Sequence, residues 1–356
     1  MHNCGVIEGY FGTPWSFKSR NTYPEFLRKY GYRFFIYAPK NDPFLRKKWD
    51  REWSDRYIKI LKNFAGSCHR SGIEFGIGFT PAGDASAVAE NPELLLARVR
   101  EISSVLPLDY FALLFDDLKN NDRSRLAYYQ LRIIDLITSE LTSVKHFIVC
   151  PSYYTTDPVL GRVFGERPEN YWNDYADGLD PEVNLFWTGE KVCSDSYSRA
   201  HLEWFAEHFR RKPFLWDNYP VNDGKKLADF LFLKPFENRA SFLNEYLAGH
   251  AVNPMREPHL NKITMSTLGD TYDDRALDTD SELYWQRVAG FTGRKLARCI
   301  RDDFRFFTEI GLSGIESDEL AELQKKYEKF RSNPYGREIY DFLKGKYAFD
   351  PACLTG

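Results

Sequence analysis

Two adjacent carboxylates, Asp116 and Asp117, directly follow the apolar run Tyr110 to Phe115. Facing one cavity, such a pair cannot ionise independently. Repulsion and partial desolvation raise the pKa of one member, leaving an anion beside a protonated acid. That division suits glycoside cleavage, in which a leaving oxygen gains a proton while positive charge develops on the sugar. Retaining enzymes with a nucleophile of their own hold the two carboxylates on opposite sides of the bond, about 5 to 5.5 Å apart and usually on different strands. Neighbours in sequence suit another arrangement: the substrate supplies the nucleophile, the first Asp steers it and the second donates the proton. An Asp pair that merely caps the next helix is the competing reading.

The pair does chemistry only if the surrounding elements aim it at a cavity. Eight short runs rich in β-branched and aromatic residues start near Gly5, Arg33, Ile73, Asp109, His146, Val183, Pro213 and Leu247. They recur at intervals of about 28 to 40 residues, the length of a strand, a helix and two loops. Helical patterns lie between them. Tyr57, Ile58, Leu61, Phe64, Ala65 and Cys68 form one stripe after a Ser54 cap; Leu95, Val99 and Ile102 form another after Asn91-Pro92; Leu202, Phe205, Ala206 and Phe209 form a third. Strands apolar throughout, alternating with helices, predict a closed parallel sheet, the α/β class of (β/α)8 TIM barrel. Barrel enzymes keep their chemistry at the C-terminal ends of the strands. Polar residues gather there: Glu8-Gly9, Lys40-Asn41-Asp42, Asp116-Asp117, Ser152-Tyr153-Tyr154, Thr188-Gly189, Asp217-Asn218 and Asn253.

After Pro254 the rhythm becomes helical, with stripes Leu296, Cys299, Ile300, Phe304, Phe307 and Leu320, Leu323, Tyr327, Phe330, the second entered by Ser317 and Asp318-Glu319. The expected organisation is a catalytic barrel over 1–258 and a small α-helical domain over 259–356. The 356 residues are 43% hydrophobic and 28% charged, an ordinary globular balance that excludes disordered and fibrous classes. With 48 basic against 51 acidic residues there is no broad cationic face, so nucleic acid is not an expected partner. The cluster Arg46-Lys47-Lys48 reads as solvated surface. Aromatics reach 16%, enough to line a cleft as well as a core. No export signal or 18-residue apolar run is present, so no membrane association is expected and the expected location is cytoplasmic. The six cysteines form no CxxC and read as reduced structural thiols. Seven histidines without HxH or HExxH supply no metal ligand set.

Six blocks stand in strand order: Gly5-Val6-Ile7-Glu8-Gly9-Tyr10-Phe11-Gly12-Thr13-Pro14-Trp15, Tyr37-Ala38-Pro39-Lys40, Ala112-Leu113-Leu114-Phe115-Asp116-Asp117, Cys150-Pro151-Ser152-Tyr153-Tyr154, Trp187-Thr188-Gly189 and Trp216-Asp217-Asn218-Tyr219-Pro220-Val221-Asn222-Asp223. Together they closely resemble glycoside hydrolase family 84, the O-GlcNAcases and related β-N-acetylglucosaminidases, including enzymes called hyaluronidases. The likeness runs from Gly5 to Asn253-Pro254-Met255 and continues, less distinctly, around Met265 to Trp285.

The resemblance implies substrate-assisted, retaining exo-hydrolysis of β-linked GlcNAc through an oxazoline intermediate, without a cofactor, on a glycoprotein, peptide or glycan. Asp116 would orient the 2-acetamido group and Asp117 would serve as acid, then base. Tyr154 matches a position in the acetamido pocket, with Trp187 and Trp216 as walls and Asn218 holding Asp116 and the acetamido group. Asp223 and Asn253 match positions gripping the O4 and O6 side, and Lys40 with the Gly9 carbonyl the O3 side. Structural readings stand beside these: Gly9 and Gly12 permit turns, Lys40 fits a surface cation, both Trp fit a core, and Asp223 fits a helix cap. The sequence departs from the family pattern in the order Tyr10-Phe11 and in having Asn41 where an acid is usual. A GlcNAc-binding barrel without turnover and a metal-dependent barrel hydrolase are the alternatives. The oligomeric state is open.

Overall fold

The computed structural model describes residues 3–118 and 123–355; Met1 and His2, at the start of the stretch read as lacking an export signal, lie outside the described residues. Eight strands, β1 Cys4–Ile7, β2 Phe34–Tyr37, β3 Glu74–Phe79, β4 Tyr110–Leu114, β5 His146–Cys150, β6 Asn184–Trp187, β7 Phe214–Asp217 and β8 Gly249–Val252, pair in chain order and in parallel. β1 pairs with both β2 and β8, which closes the barrel. The expected TIM barrel is therefore the observed fold, and each expected strand lies within two residues of its place.

Rings fill the barrel interior. Phe34 meets Tyr110 at 4.8 Å and Phe214 at 5.7 Å between centroids. Room for them comes from glycine on adjoining strands: a Cβ on Gly5 would stand 2.3 Å from the Phe34 ring, and one on Gly249 would stand 2.4 Å from that of Phe214. Large residues thus interdigitate with vacant positions on the neighbouring strand, the close packing a barrel core needs.

Outside lies the helical layer. Helix Asp55–Arg70 starts where Ser54 Oγ accepts from the Tyr57 amide, and it buries Leu61, Phe64, Ala65 and Cys68. Helix Glu93–Val105 follows Pro92 and buries Leu95, Val99 and Ile102; helix Arg199–Phe209 buries Leu202, Phe205 and Phe209.

Beyond the barrel, helices Glu282–Thr292, Arg294–Asp302, Ser317–Glu328 and Pro334–Leu343 enclose a second core that includes Leu296, Ile300, Phe307, Tyr327 and Ile339. The stripe ending at Phe307 spans two elements, since Arg294–Asp302 stops and a π-helical turn, Phe306–Ile310, follows. Glu316, in a reciprocal box with Glu319, caps the next helix in place of Ser317. The two cores interlock: Leu231 and Leu233, after β7, belong to the second, whereas Met265, Leu268 and Tyr272 join the barrel's. Among the described residues no helix is long and apolar enough to cross a membrane.

Candidate active site

The C-terminal ends of the strands surround a cleft of about 400 Å³. Asp116 and Asp117 reach it from β4, whose exit is clamped. Phe115 N donates to Cys150 O at 2.9 Å, and Phe115 O accepts from Ser152 Oγ at 2.9 Å, itself a partner of Gln130. Strand alternation would send consecutive side chains to opposite faces. The chain breaks that alternation at once: Asp117 has φ +56°, a left-handed conformation uncommon for a residue other than glycine. Both carboxylates therefore line the cleft. Arg46 Nη2 donates to the Asp117 carbonyl at 2.8 Å and holds the bend. Among the described residues the next helix begins at Leu126 with Arg125 in the capping position, so the pair caps no described helix.

The two acids differ in surroundings. Asp116 Oδ2 forms a buried ion pair with Lys40 Nζ. Its Oδ1 is buried with no hydrogen-bond partner. Asp117 Oδ1 accepts from the Tyr154 hydroxyl at 3.3 Å. Burial, followed by the charge of Asp116, pushes the Asp117 carboxyl above the usual range, while Lys40, Arg46 and the Tyr154 hydrogen bond oppose the rise. Asp116 is thus the member paired with a cation, and Asp117 the member whose ionised form burial disfavours.

A polar chain crosses the opposite wall. Gly9 N donates to Asn253 Oδ1 at 3.1 Å, Asn253 Nδ2 donates to Asn218 Oδ1 at 2.9 Å, and Trp216 Nε1 donates to that same oxygen at 3.0 Å. Gly9 is glycine for space, since a Cβ there would stand 2.5 Å from the Trp216 ring. Asp223 Oδ2 accepts from Phe11 N at 2.7 Å, and burial lifts this carboxyl to about 6. It caps no helix; the short turn that follows, Leu227–Asp229, has Lys226 before it.

Gly9, Lys40, Asp116, Asp117, Tyr154, Trp216, Asn218, Asp223 and Asn253 thus share one cleft. Trp187 does not. Its ring is fully buried between β6 and helix Arg199–Phe209, 5.1 Å from Phe205, and its Nε1 donates to His201 at 2.9 Å. The expected pocket wall is therefore part of the packing outside the barrel. Asn218 also differs from expectation: its amide nitrogen donates to Val192 O at 2.8 Å, and its bonds run to Trp216, Asn253 and Val192 and not to Asp116. The expected surface cluster splits, with Lys47 and Lys48 exposed but Arg46 buried beside the acid. Glu8 and Asp217 turn from the cleft into buried pairs with Arg20 and Arg239 that brace β1 and β7.

Phe11, Cys150, Thr188, Val192, Cys353 and Thr355 also line the cleft. Thr188 and Cys150 carry the strand-end signal; the last two are more than 90 residues beyond β8 and carry none. Among the described residues no group of three His, Cys, Asp or Glu side chains is arranged to hold a metal ion.

The family model described as beta-N-acetylglucosaminidase matches residues 4–307. Protein O-GlcNAcase of Mus musculus and that of Rattus norvegicus are each 30% identical over 278 residues, which is 76% of this chain and 30% of their own length. The chain spans less than a third of these curated relatives. A variant of the O-GlcNAc hydrolase of Thermobaculum terrenum superposes with a TM-score of 0.77 at 23% identity, covering 97% of this chain and 75% of that one. CpGH84B gives 0.74 at 23%, covering 98% and 66%. Both share the barrel.

Proposed function

Since the chain belongs to glycoside hydrolase family 84, the beta-N-acetylglucosaminidases, we propose that it is a retaining exo-enzyme removing terminal β-linked GlcNAc by substrate-assisted catalysis. One observation carries the reading: at a single strand end, an anion with one oxygen tied to Lys40 and the other unpartnered adjoins a carboxyl biased toward its protonated form.

In this mechanism Asp116 Oδ1 accepts the acetamido N–H and turns the amide oxygen toward the anomeric carbon. That oxygen bonds to carbon 1 as the glycosidic C–O bond breaks, and the Asp117 proton passes to the leaving oxygen. Asp117, now a carboxylate, takes a proton from water as the water attacks carbon 1; the oxazoline C–O bond breaks and the acetamide is restored. Two inversions give retention. An intramolecular nucleophile can remove roughly 7 to 11 kcal/mol of barrier when aligned. Tyr154 and Trp216 bound the acetamido pocket, Asp223 and Asn253 take the O4 and O6 side, and Lys40 and Gly9 take the O3 side. Asn218 acts through Asn253 and Trp216. The substrate class is GlcNAc on a protein, peptide or short glycan, supported by the curated relatives being protein O-GlcNAcases.

Turnover of aryl β-N-acetylglucosaminides by wild type, Asp116→Ala and Asp117→Ala tests the assignment. Asp117→Ala should stay within about tenfold of wild type with a dinitrophenolate leaving group and lose about 100-fold or more with a poor one, the scale of general acid catalysis. Equal losses on both would remove it as acid. Asp116→Ala should fail on both. Activity abolished by EDTA would favour the metal-dependent alternative.

A further inference from the structure

The stretch after helix Pro334–Leu343 comes back over the barrel mouth. Arg256 Nη1 donates to Ala348 O at 2.7 Å, and Asn41, in the loop after β2, donates through Nδ2 to Asp350 Oδ2 at 2.9 Å. Asp350 also shapes the turn beyond it: its Oδ1 accepts from Ala352 N at 3.0 Å and its carbonyl from Cys353 N at 3.0 Å. That turn buries Cys353 and brings it, with Thr355, into the lining of the cleft.

So lined, the cleft is too small for a sugar. Between its walls lie about 400 Å³ when the open mouth is counted, but the space open to water is only about 40 Å³. Sites that take small ligands measure roughly 300 to 1,000 Å³. The groups assigned to the sugar are correspondingly shut away: Lys40, Asp116, Tyr154, Trp216, Asp223 and Asn253 are all buried. A GlcNAc ring enters only if part of the lining moves. Most of the other lining residues lie on a barrel strand or close behind its end, where movement would break the sheet. Residues 350–355 have neither helix nor strand, and Leu354 among them is 43% exposed. Thinly packed stretches of this kind open locally at a fraction of the cost of global unfolding.

We propose that residues 350–355 are an autoinhibitory plug: docked, they exclude the sugar from the cleft, and turnover requires the Asn41–Asp350 contact to part and the segment to leave. The inference rests on the reading of this cleft as the GlcNAc site. When only the released form binds substrate, the apparent KM is the intrinsic value divided by the released fraction, and kcat is untouched.

Asn41 is exposed and outside the residues assigned to the sugar. The test compares wild type, Asn41→Asp, which sets a carboxylate against Asp350, and Asn41→Asp/Asp350→Asn, which returns an amide to the pair. Release is read from the rate at which iodoacetamide alkylates Cys353, followed by peptide mass spectrometry with half-buried Cys299 as the internal standard. Gating is read from KM and kcat for a nitrophenyl β-N-acetylglucosaminide. In Asn41→Asp alkylation should quicken about fivefold, equivalent to about 1 kcal/mol of lost docking. KM should fall by the same factor with kcat within about twofold, and the double variant should return both readouts toward wild type. Free GlcNAc at an inhibitory concentration should also speed Cys353 alkylation in wild type, because a ligand that binds only the released form raises its population. Faster alkylation with an unchanged KM, or protection of Cys353 by GlcNAc, would overturn the plug. Unchanged alkylation in Asn41→Asp would overturn the anchoring contact on which it depends. All three forms inert toward the glycoside, with Asn41→Asp shown by alkylation to be released, would instead sink the assignment of the sugar site.

Discussion

Replacing Arg46 with Met separates the placement of the acid from its mere presence. Arg46 is 7% exposed, donates to the Asp117 carbonyl at 2.8 Å and lies 5.6 Å from the centroid of Phe11, another residue of the cleft. A left-handed residue other than glycine costs roughly 1 to 2 kcal/mol. A buried hydrogen bond from a charged group contributes roughly 1.5 to 3 kcal/mol, enough to offset that strain. Met keeps most of the volume and removes both the bond and the charge. If about half to all of the bond is expressed in the transition state, kcat/KM for a poor leaving group should fall roughly 4- to 160-fold at 1.36 kcal/mol per decade. A dinitrophenyl substrate, which needs little protonation, should change about twofold or less. Arg46 is also one of the cations restraining the upward shift of Asp117. Its loss should therefore move the alkaline limb of the kcat/KM profile, where the acid loses its proton, to higher pH. Equal losses for good and poor leaving groups, or an alkaline limb moved downward, would refute this account of Arg46.

Asp217→Asn should lower stability by about 3 to 5 kcal/mol in denaturant titrations, because Arg239, paired with it at 2.8 Å, would be left as an uncompensated buried cation. Burial alone would raise the Asp217 carboxyl, but Arg239 and His250 outweigh it and the net shift is downward. A depressed carboxyl stabilises the fold above its unfolded pKa of about 3.9, so the deficit should be constant near neutrality and shrink only in strong acid; a deficit peaking at pH 7 and vanishing by pH 5 would contradict it. Asp223, lifted by burial to about 6, should give kcat/KM an acid limb near that pH as the ionised form becomes available to sugar hydroxyls. In Asp223→Asn that limb should move to lower pH, and an unmoved limb would assign it to another group.

How far the sequence carried the site depends on what each residue touches. The strands were legible because a parallel barrel buries both faces of every strand, and motifs at their ends fall where the rim must be. Trp187 shows where end position fails and parity decides. Phe186 faces the barrel interior, meeting Phe214 at 5.4 Å, so its neighbour Trp187 must face the helices. Trp216 contacts Phe186 from the same interior side at 5.1 Å and continues into the cleft. Alternation along β6 was available in the sequence; the inward member was not fixed without the register. Arg46 was illegible for another reason. A basic run reads as solvated by composition, and only the 71-residue contact to the Asp117 carbonyl singles out one member. The cleft lining by Cys353 and Thr355 is harder still, because the Asn41–Asp350 contact that ties down this end of the chain pairs residues 309 apart, each ordinary in its local setting.

Two local costs meet at the end of β4. Left-handed backbone at Asp117 is strained, and a buried carboxylate oxygen on Asp116 lacks a donor; the second commonly costs about 1 to 3 kcal/mol, more for an ion. Each follows from placing adjacent acids in one cleft. Without the bend, the second side chain would leave the site. With a second protein donor on Asp116, its free oxygen would already be satisfied and could gain little from an acetamido N–H. Lys40 occupies only one of the two oxygens, which keeps the charge buried without satisfying it fully. On the proposed mechanism a substrate that brings both an N–H and a nucleophilic carbonyl would relieve the unpartnered oxygen as it aligns the attack, so recognition and activation would draw on the same contact. This favours 2-acetamido sugars over analogues without that donor, because a site built around a substrate hydrogen bond is left with an unpaired group when the bond is missing.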